Sequence, residues 1–150
     1  MVIKFVKRYS QECHSRCFEL GIAPELLAFQ PLPGGWHVVI MEFLQSYETL
    51  FVLHRDRKVT DKMIGAVEKA VGKLHEEDFV HGDLRLPNIM VGPEDSVKFV
   101  DFDWSGRLGE ALYPPLMNPV IVWHPGAKLG EEIVPEHDMY LLRSELSRTD

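Results

Sequence analysis

The sequence predicts an α+β fold, and three stretches of it support that class. Two apolar runs on either side of PLPGG, residues 31 to 35, have the length and the glycine pair of an antiparallel hairpin. From 61 to 76 apolar residues recur at intervals of three and four, the period of a helix with one buried face. Two short apolar runs, 88–91 and 97–102, flank the turn sequence GPEDS and form a second hairpin.

Taken in order, VIKFVKR at 2–8 reads as a strand with basic residues interspersed and no partner upstream. Ser10 can cap a helix over 11–20, in which Cys13, Cys17, Phe18 and Leu20 form an approximate apolar face. Gly21 ends that helix and Pro24 sets the turn after it. Strands follow at 26–30 and 36–43, completing about three strands and one helix in the first 43 residues. The polar stretches SYETL and HRDRK then connect around a short helical turn.

Thr60 caps the strongest helix, 61–76, where Met63, Val67, Ala70, Val71 and Leu74 form the core stripe. Beyond the second hairpin, residues 106–135 are rich in glycine and proline and show no clear regular element, a pattern common in functional or mobile segments. A last helix begins near Pro135.

At 150 residues the chain suits one domain, burying roughly 68–70% of its unfolded surface. Its composition, 45% hydrophobic and 26% charged, is that of a globular protein. The net charge of −7 argues against a nucleic-acid partner bound through a basic face. With no apolar run of membrane-spanning length and no secretory pattern in MVIKFVKRYS, neither a membrane association nor a signal peptide is expected. Two cysteines are too few for a disulfide framework and favour an intracellular, cytoplasmic location.

The functional signal lies in VHGDLRLPNIMV, residues 80–91. If the GPEDS turn places Val91 opposite Val97, Asn88 and Asp101 stand within a residue of each other at the open end of the hairpin, and Asp83 can fold back beside them. Two carboxylates and an amide oxygen around one point suit a hard divalent cation shared with substrate phosphates. Isolated Asp and Asn residues usually cap turns, but turn capping does not explain this convergence.

HGDLRLPN at 81–88 and VDFD at 100–103 resemble the catalytic loop and metal-binding segment of the protein-kinase-like superfamily, with its H-R-D-L-x-x-x-N and D-F-G signatures. Gly82, in place of arginine, is closer to the small-molecule phosphotransferases of the aminoglycoside and choline type and to atypical kinase-like proteins of fungi. The resemblance implies a two-lobe fold. A truncated N-terminal lobe of about three antiparallel strands and one helix would span 1–43, and a shortened, mainly helical C-terminal lobe with the catalytic hairpin would span 44–150.

It further implies an ATP- and Mg²⁺-dependent transfer of a γ-phosphoryl group to a protein serine or threonine, or to a small-molecule hydroxyl. Asp83 would accept the proton of the attacking hydroxyl, Asn88 would bind metal, and Asp101 would bridge metal to phosphate. Lys4, in VIK at 2–4, would contact the phosphates, and Glu12 would hold that lysine in place. MEFL at 41–44 resembles the hinge that meets adenine, which points to Glu42 and Leu44. His81 would support the loop internally, and Asp138 would accept its backbone hydrogen bonds. Arg85 would either neutralise the transferred group or pair with a carboxylate.

The family's first two strands and glycine-rich loop have no counterpart in these residues, which implies weakened nucleotide binding and an edge at 2–8 open to association. A nucleotide-binding module without transfer activity, or a fragment of a larger kinase, is therefore the rival expectation. Asp103 stands where D-F-G has glycine, adding a third carboxylate that either recruits a cation or stiffens the segment. No A-P-E segment precedes Asp138, so activation-loop control is not expected and neither Tyr113 nor Thr149 is taken as a phosphosite. Cys13, His14 and Cys17 lack the second cysteine pair of a structural zinc set, His75 reads as a structural histidine, and Trp104 and Trp123 read as packing with ligand stacking left open, while a glycosidase pair of Asp83 and Asp101 explains neither Asn88 nor Lys4.

Overall fold

A computed structural model of the chain describes residues 1–148; Thr149 lies outside the described residues. Strand β1 (Val2–Val6), helix α1 (Gln11–Glu19), and strands β2 (Leu26–Leu32) and β3 (Trp36–Met41) make up the first part. The three strands form an antiparallel sheet in the order β1-β3-β2, with Lys4 opposite Val39. Alternation along β1 sends Lys4 and Val6 inward and leaves Ile3 and Phe5 exposed on the other face. β1 is an edge strand, so its outer rim carries no ladder.

Helix α1 starts where Ser10 Oγ accepts the Cys13 N–H at 3.3 Å. Its buried face differs from the expected one. Cys13, His14 and Cys17 are inside, whereas Phe18 is 42% exposed. His14 tolerates burial because both ring nitrogens are satisfied: Nε2 lies 2.9 Å from the Pro24 carbonyl and Nδ1 2.6 Å from the Tyr9 hydroxyl. The carbonyl can only accept, so Nε2 is the donor and Nδ1 accepts from Tyr9.

A short strand, β4 (Glu48–Thr49), leads into α2 (Leu50–Arg55), and α3 (Asp61–Glu76) follows. Thr60 Oγ1 caps α3 by accepting the Met63 N–H at 3.2 Å, and Val67, Ala70, Val71 and Leu74 are buried as its period requires. β5 (Phe79–Val80), β6 (Ile89–Val91), β7 (Val97–Phe99) and β8 (Gly106–Arg107) complete the strands. β4, β6 and β7 form one sheet and β5 pairs with β8. Strands of two residues are too short to carry a sequence pattern, so β4, β5 and β8 emerge only in the structure. Helix α4 (Pro135–Leu146) closes the described structure with proline in its first turn.

The main core runs through Cys13, Cys17, Leu50, Val71, Leu74, Phe99, Phe102 and Leu142. Helix α1 therefore packs into the same core as α3, the β6–β7 hairpin and α4, while Val6, Val39 and Met41 form a separate small cluster under the first sheet. No helix among the described residues is long and apolar enough to cross a membrane.

Candidate active site

The loop between β5 and β6 is built from its backbone outward. Asp138, buried in the first turn of α4, accepts the His81 N–H at 2.9 Å and the Gly82 N–H at 2.8 Å, one on each carboxylate oxygen. His75 from α3 donates Nε2–H to the same group at 3.0 Å. A buried carboxylate with three donors is well satisfied, and here it ties α3, the loop and α4 together.

Gly82 turns the chain with φ +85, a conformation that side chains with a Cβ resist. A Cβ there would stand 2.9 Å from Ile133 Cδ1 and 3.0 Å from both the Trp104 Cβ and the Trp104 carbonyl oxygen. Glycine at this position is thus a packing requirement of this chain, which accounts locally for HGD in place of HRD. The Ser105 hydroxyl donates to the His81 carbonyl at 2.8 Å, pinning the same turn from the other side.

The His81 ring is buried and both nitrogens are committed. Nε2 donates to the Val100 carbonyl at 3.0 Å, and Nδ1 accepts the Asp83 N–H at 3.3 Å. That pattern requires the neutral ring and leaves no lone pair for proton abstraction. Its geometry is that of a brace between the loop and the hairpin.

Asp83 and Asn88 are both nearly buried. A single 3₁₀ turn, Leu86–Asn88, with Pro87 in its first positions, folds Asn88 back so that Nδ2 donates to the Asp83 carbonyl at 2.8 Å and to Asp83 Oδ2 at 3.2 Å. With its amide N–H groups used this way, Asn88 has its oxygen left for a cation. The Val100 N–H donates to the Asn88 carbonyl at 3.0 Å and fixes the loop to the open end of the hairpin. Asp101 follows in the left-handed region, φ +66, a strained conformation that persists where the surroundings over-determine it.

Arg85 clasps Asp83 with both ends of its guanidinium, Nε to Oδ1 at 2.6 Å and Nη2 to Oδ2 at 3.0 Å. Of the two roles open to it in the sequence, pairing with a carboxylate is the one present, and the carboxylate is Asp83 itself. Arg85 also lines a second cavity of about 230 Å³ with Phe51, His54 and Arg148.

Lys4 Nζ reaches across from β1 to Asp101 Oδ1 at 3.0 Å and Asp103 Oδ1 at 2.6 Å. Burial works to lower the lysine pKa, but the hydrogen bond to Asp103 and the charge of Asp101 outweigh it, and the net direction is upward. Burial raises both carboxylates. For Asp101 the lysine overrides it and the pKa falls below the ordinary value, whereas Asp103, next to the charge of Asp101, is pushed up to about 6.

Glu12 is not at this site. Its carboxylate pairs with Arg107 of β8. The rotation of α1 is set by burial of Cys13, His14 and Cys17, and it turns Glu12 outward, away from Lys4. The carboxylate that meets the lysine beside Asp101 is Asp103.

Between the first sheet and the hairpin lies a cavity of about 360 Å³, within the range of small-molecule sites. Val2 and Met41 line it from the sheet, Met90 and Val100 from the hairpin, and Lys4, Asn88 and Asp101 from its polar end. Glu42 and Leu44 lie along its edge. The Glu42 N–H donates to the Glu25 carbonyl, while the Glu42 carbonyl and the Leu44 N–H take no backbone partner among the described residues.

Two small lobes with a cleft between them, a braced H-G-D loop and a D-F-D segment at the cleft define a protein of the protein-kinase-like superfamily. Within it the chain belongs to the RIO domain family, whose model matches residues 27–107, more than half of its length. The kinase PK-1 of Cydia pomonella granulovirus has the same fold, with a TM-score of 0.70 over 97% of this chain and 58% of that one, at 18% identity. Mitogen-activated protein kinase kinase kinase 13-B of Xenopus laevis is 26% identical over 119 residues, 75% of this chain and 12% of that protein. Serine/threonine-protein kinase kin-29 of Caenorhabditis elegans is 34% identical over 79 residues, 49% of this chain and 10% of that protein. The chain thus matches about a tenth to an eighth of the length of the two curated kinases and 58% of PK-1.

Proposed function

We propose that this chain is an ATP- and Mg²⁺-dependent phosphotransferase that moves the γ-phosphoryl group to a hydroxyl. The observation behind the reading is that Lys4, Asn88 and Asp101 line the polar end of one cavity while Asn88 holds Asp83 beside it. The edge of the cavity suits adenine, which would pair with the Glu42 carbonyl and the Leu44 N–H. Asn88 Oδ1 and the Asp101 carboxylate are hard oxygen donors too few to enclose a cation alone, which is the usual form of a Mg²⁺ site completed by nucleotide phosphates. When bound, Mg²⁺ supplies charge compensation on the β- and γ-phosphates.

Lys4 holds the phosphates and Asp83 orients the acceptor. The acceptor oxygen bonds to the γ-phosphorus, the bond to the β–γ bridging oxygen breaks, the hydroxyl proton passes to Asp83, and ADP leaves. Arg85 keeps the Asp83 carboxylate in one orientation. The acceptor is a protein serine or threonine, or a small alcohol. Two buried, unpaired thiols, Cys13 and Cys17, support an intracellular setting.

A second reading, nucleotide binding without transfer, is favoured by the same Arg85 clasp, which occupies both Asp83 oxygens. Titration with ATP with and without Mg²⁺, followed by ADP formation against protein and small-alcohol acceptors, separates the two. Asp83→Asn and Asp101→Asn are each expected to lower turnover at least about tenfold, about 1.4 kcal/mol of transition-state stabilisation. Turnover equal to the parent in both variants refutes transfer at this site, and Mg²⁺-dependent binding with no turnover by the parent establishes the second reading.

A further inference from the structure

In protein kinases the lysine that contacts the phosphates is held by a glutamate on the helix after its strand, and in this chain that glutamate points elsewhere. Glu12 is committed to Arg107, and its carboxylate is largely exposed. The first turn of α1 is also locked against the segment that follows β7. The Ser10 N–H donates to the Phe102 carbonyl at 3.0 Å, and the His14 ring stacks on Phe102 with centroids 4.7 Å apart. Phe102 is fully buried, so α1 cannot rotate to bring Glu12 to Lys4 without opening the main core.

Lys4 instead finds its nearest carboxylate at the position where the family motif has glycine. Asp103 Oδ1 lies 2.6 Å from Lys4 Nζ, closer than Asp101 Oδ1 at 3.0 Å, and the three side chains are about one third exposed. Asp101 and Asp103, on either side of buried Phe102, both reach Lys4 of β1. We propose that Asp103 is the positioning residue for Lys4, replacing the helix glutamate and transferring the lysine's anchor from α1 to the segment that bears the metal ligand Asp101. Lysine placement and metal-ligand placement then form one unit, with no carboxylate of α1 at the lysine. This inference names a positioning residue for the phosphotransferase reading above, but the ion pair it rests on is independent of nucleotide.

The test uses the whole chain and two readouts. The first needs no nucleotide: acylation of Lys4 by an amine-reactive succinimidyl ester, followed by peptide mass spectrometry. Asp103→Asn and Asp103→Ala are expected to speed Lys4 labelling several-fold, Asp103→Glu to restore slow labelling, and Glu12→Gln to leave it unchanged. The second is the Kd for ATP with Mg²⁺ by calorimetry. Asp103→Asn is expected to raise it about tenfold, Glu12→Gln to leave it unchanged, and Lys4→Met with Asp103→Asn to do no more than Lys4→Met alone, the non-additivity of a direct pair.

Thermal melts identify any variant that fails to fold; should Asp103→Asn be one, the Glu12→Gln and Asp103→Glu results decide. Faster labelling in Glu12→Gln with none in Asp103→Asn overturns the proposal, as does additive loss in the double variant. A parent that binds no ATP, with Lys4 still released by Asp103→Asn, upholds the anchor and defeats the nucleotide reading.

Discussion

Placing a side chain at Gly82 is the perturbation with the most direct cost. Alanine there must adopt φ +85, which costs about 1–2 kcal/mol for a residue with a Cβ. Its Cβ also meets Ile133 Cδ1 at 2.9 Å and the Trp104 carbonyl oxygen at 3.0 Å, and the second is backbone that cannot swing aside. Overpacking of this kind costs about 1–3 kcal/mol. The sum, about 2–5 kcal/mol, corresponds to a fall in Tm of roughly 4–20 °C for a chain of this size. Gly82→Arg, which restores the arginine of the kinase motif, is expected to fall at the upper end or beyond.

Thermal unfolding by circular dichroism reads the effect. Gly65→Ala is the control, because Gly65 lies inside α3 without a positive φ, and a Cβ added there meets no heavy atom within 4 Å. It is expected to stabilise by about 0.5–1 kcal/mol. A Gly82→Ala protein melting within about 2 °C of the parent refutes the claim that glycine is required by the turn, and with it the local explanation of HGD.

Asp138→Asn keeps the shape but turns an NH2 group toward one of two buried backbone N–H donors, and should cost about 3 kcal/mol in denaturant titration, with less than about 1 kcal/mol refuting its role as the hub of the loop. His14 has its pKa lowered by burial, which outweighs the hydrogen bond to Pro24, so the unfolded chain binds the proton more tightly than the folded one. Its contribution to stability is present above the ordinary value of 6.5 and lost as pH falls below it. Asp103, raised to about 6, acts in the opposite sense, so the readout is the difference between parent and His14→Gln. The parent's Tm should fall more steeply from about pH 6.5 to about pH 5, and equal slopes refute the assignment.

Local chemistry accounts for what could be read in advance. Ser10 and Thr60 announced helix starts because a hydroxyl one step before an apolar period has few other uses, and GPEDS announced a turn whose register places Val91 opposite Val97. The meeting of Asn88 with Val100 followed from that register. The burial of His14, by contrast, depends on Pro24, Tyr9 and Phe102, none of which is tied to it by a periodic pattern. Of the two-residue strands, β4 pairs with the longer β6, while β5 and β8 pair with each other.

By itself the sequence determined the order and type of the long elements and the set of groups on the loop between β5 and β6, because caps, turns and periodicity act over a few residues. Which carboxylate meets Lys4 was decided by tertiary structure alone. Residues about a hundred positions apart are brought together by how α1 rotates into the core and how Phe102 is buried. Rotation of a helix about its axis costs nothing locally and is set only by what it packs against.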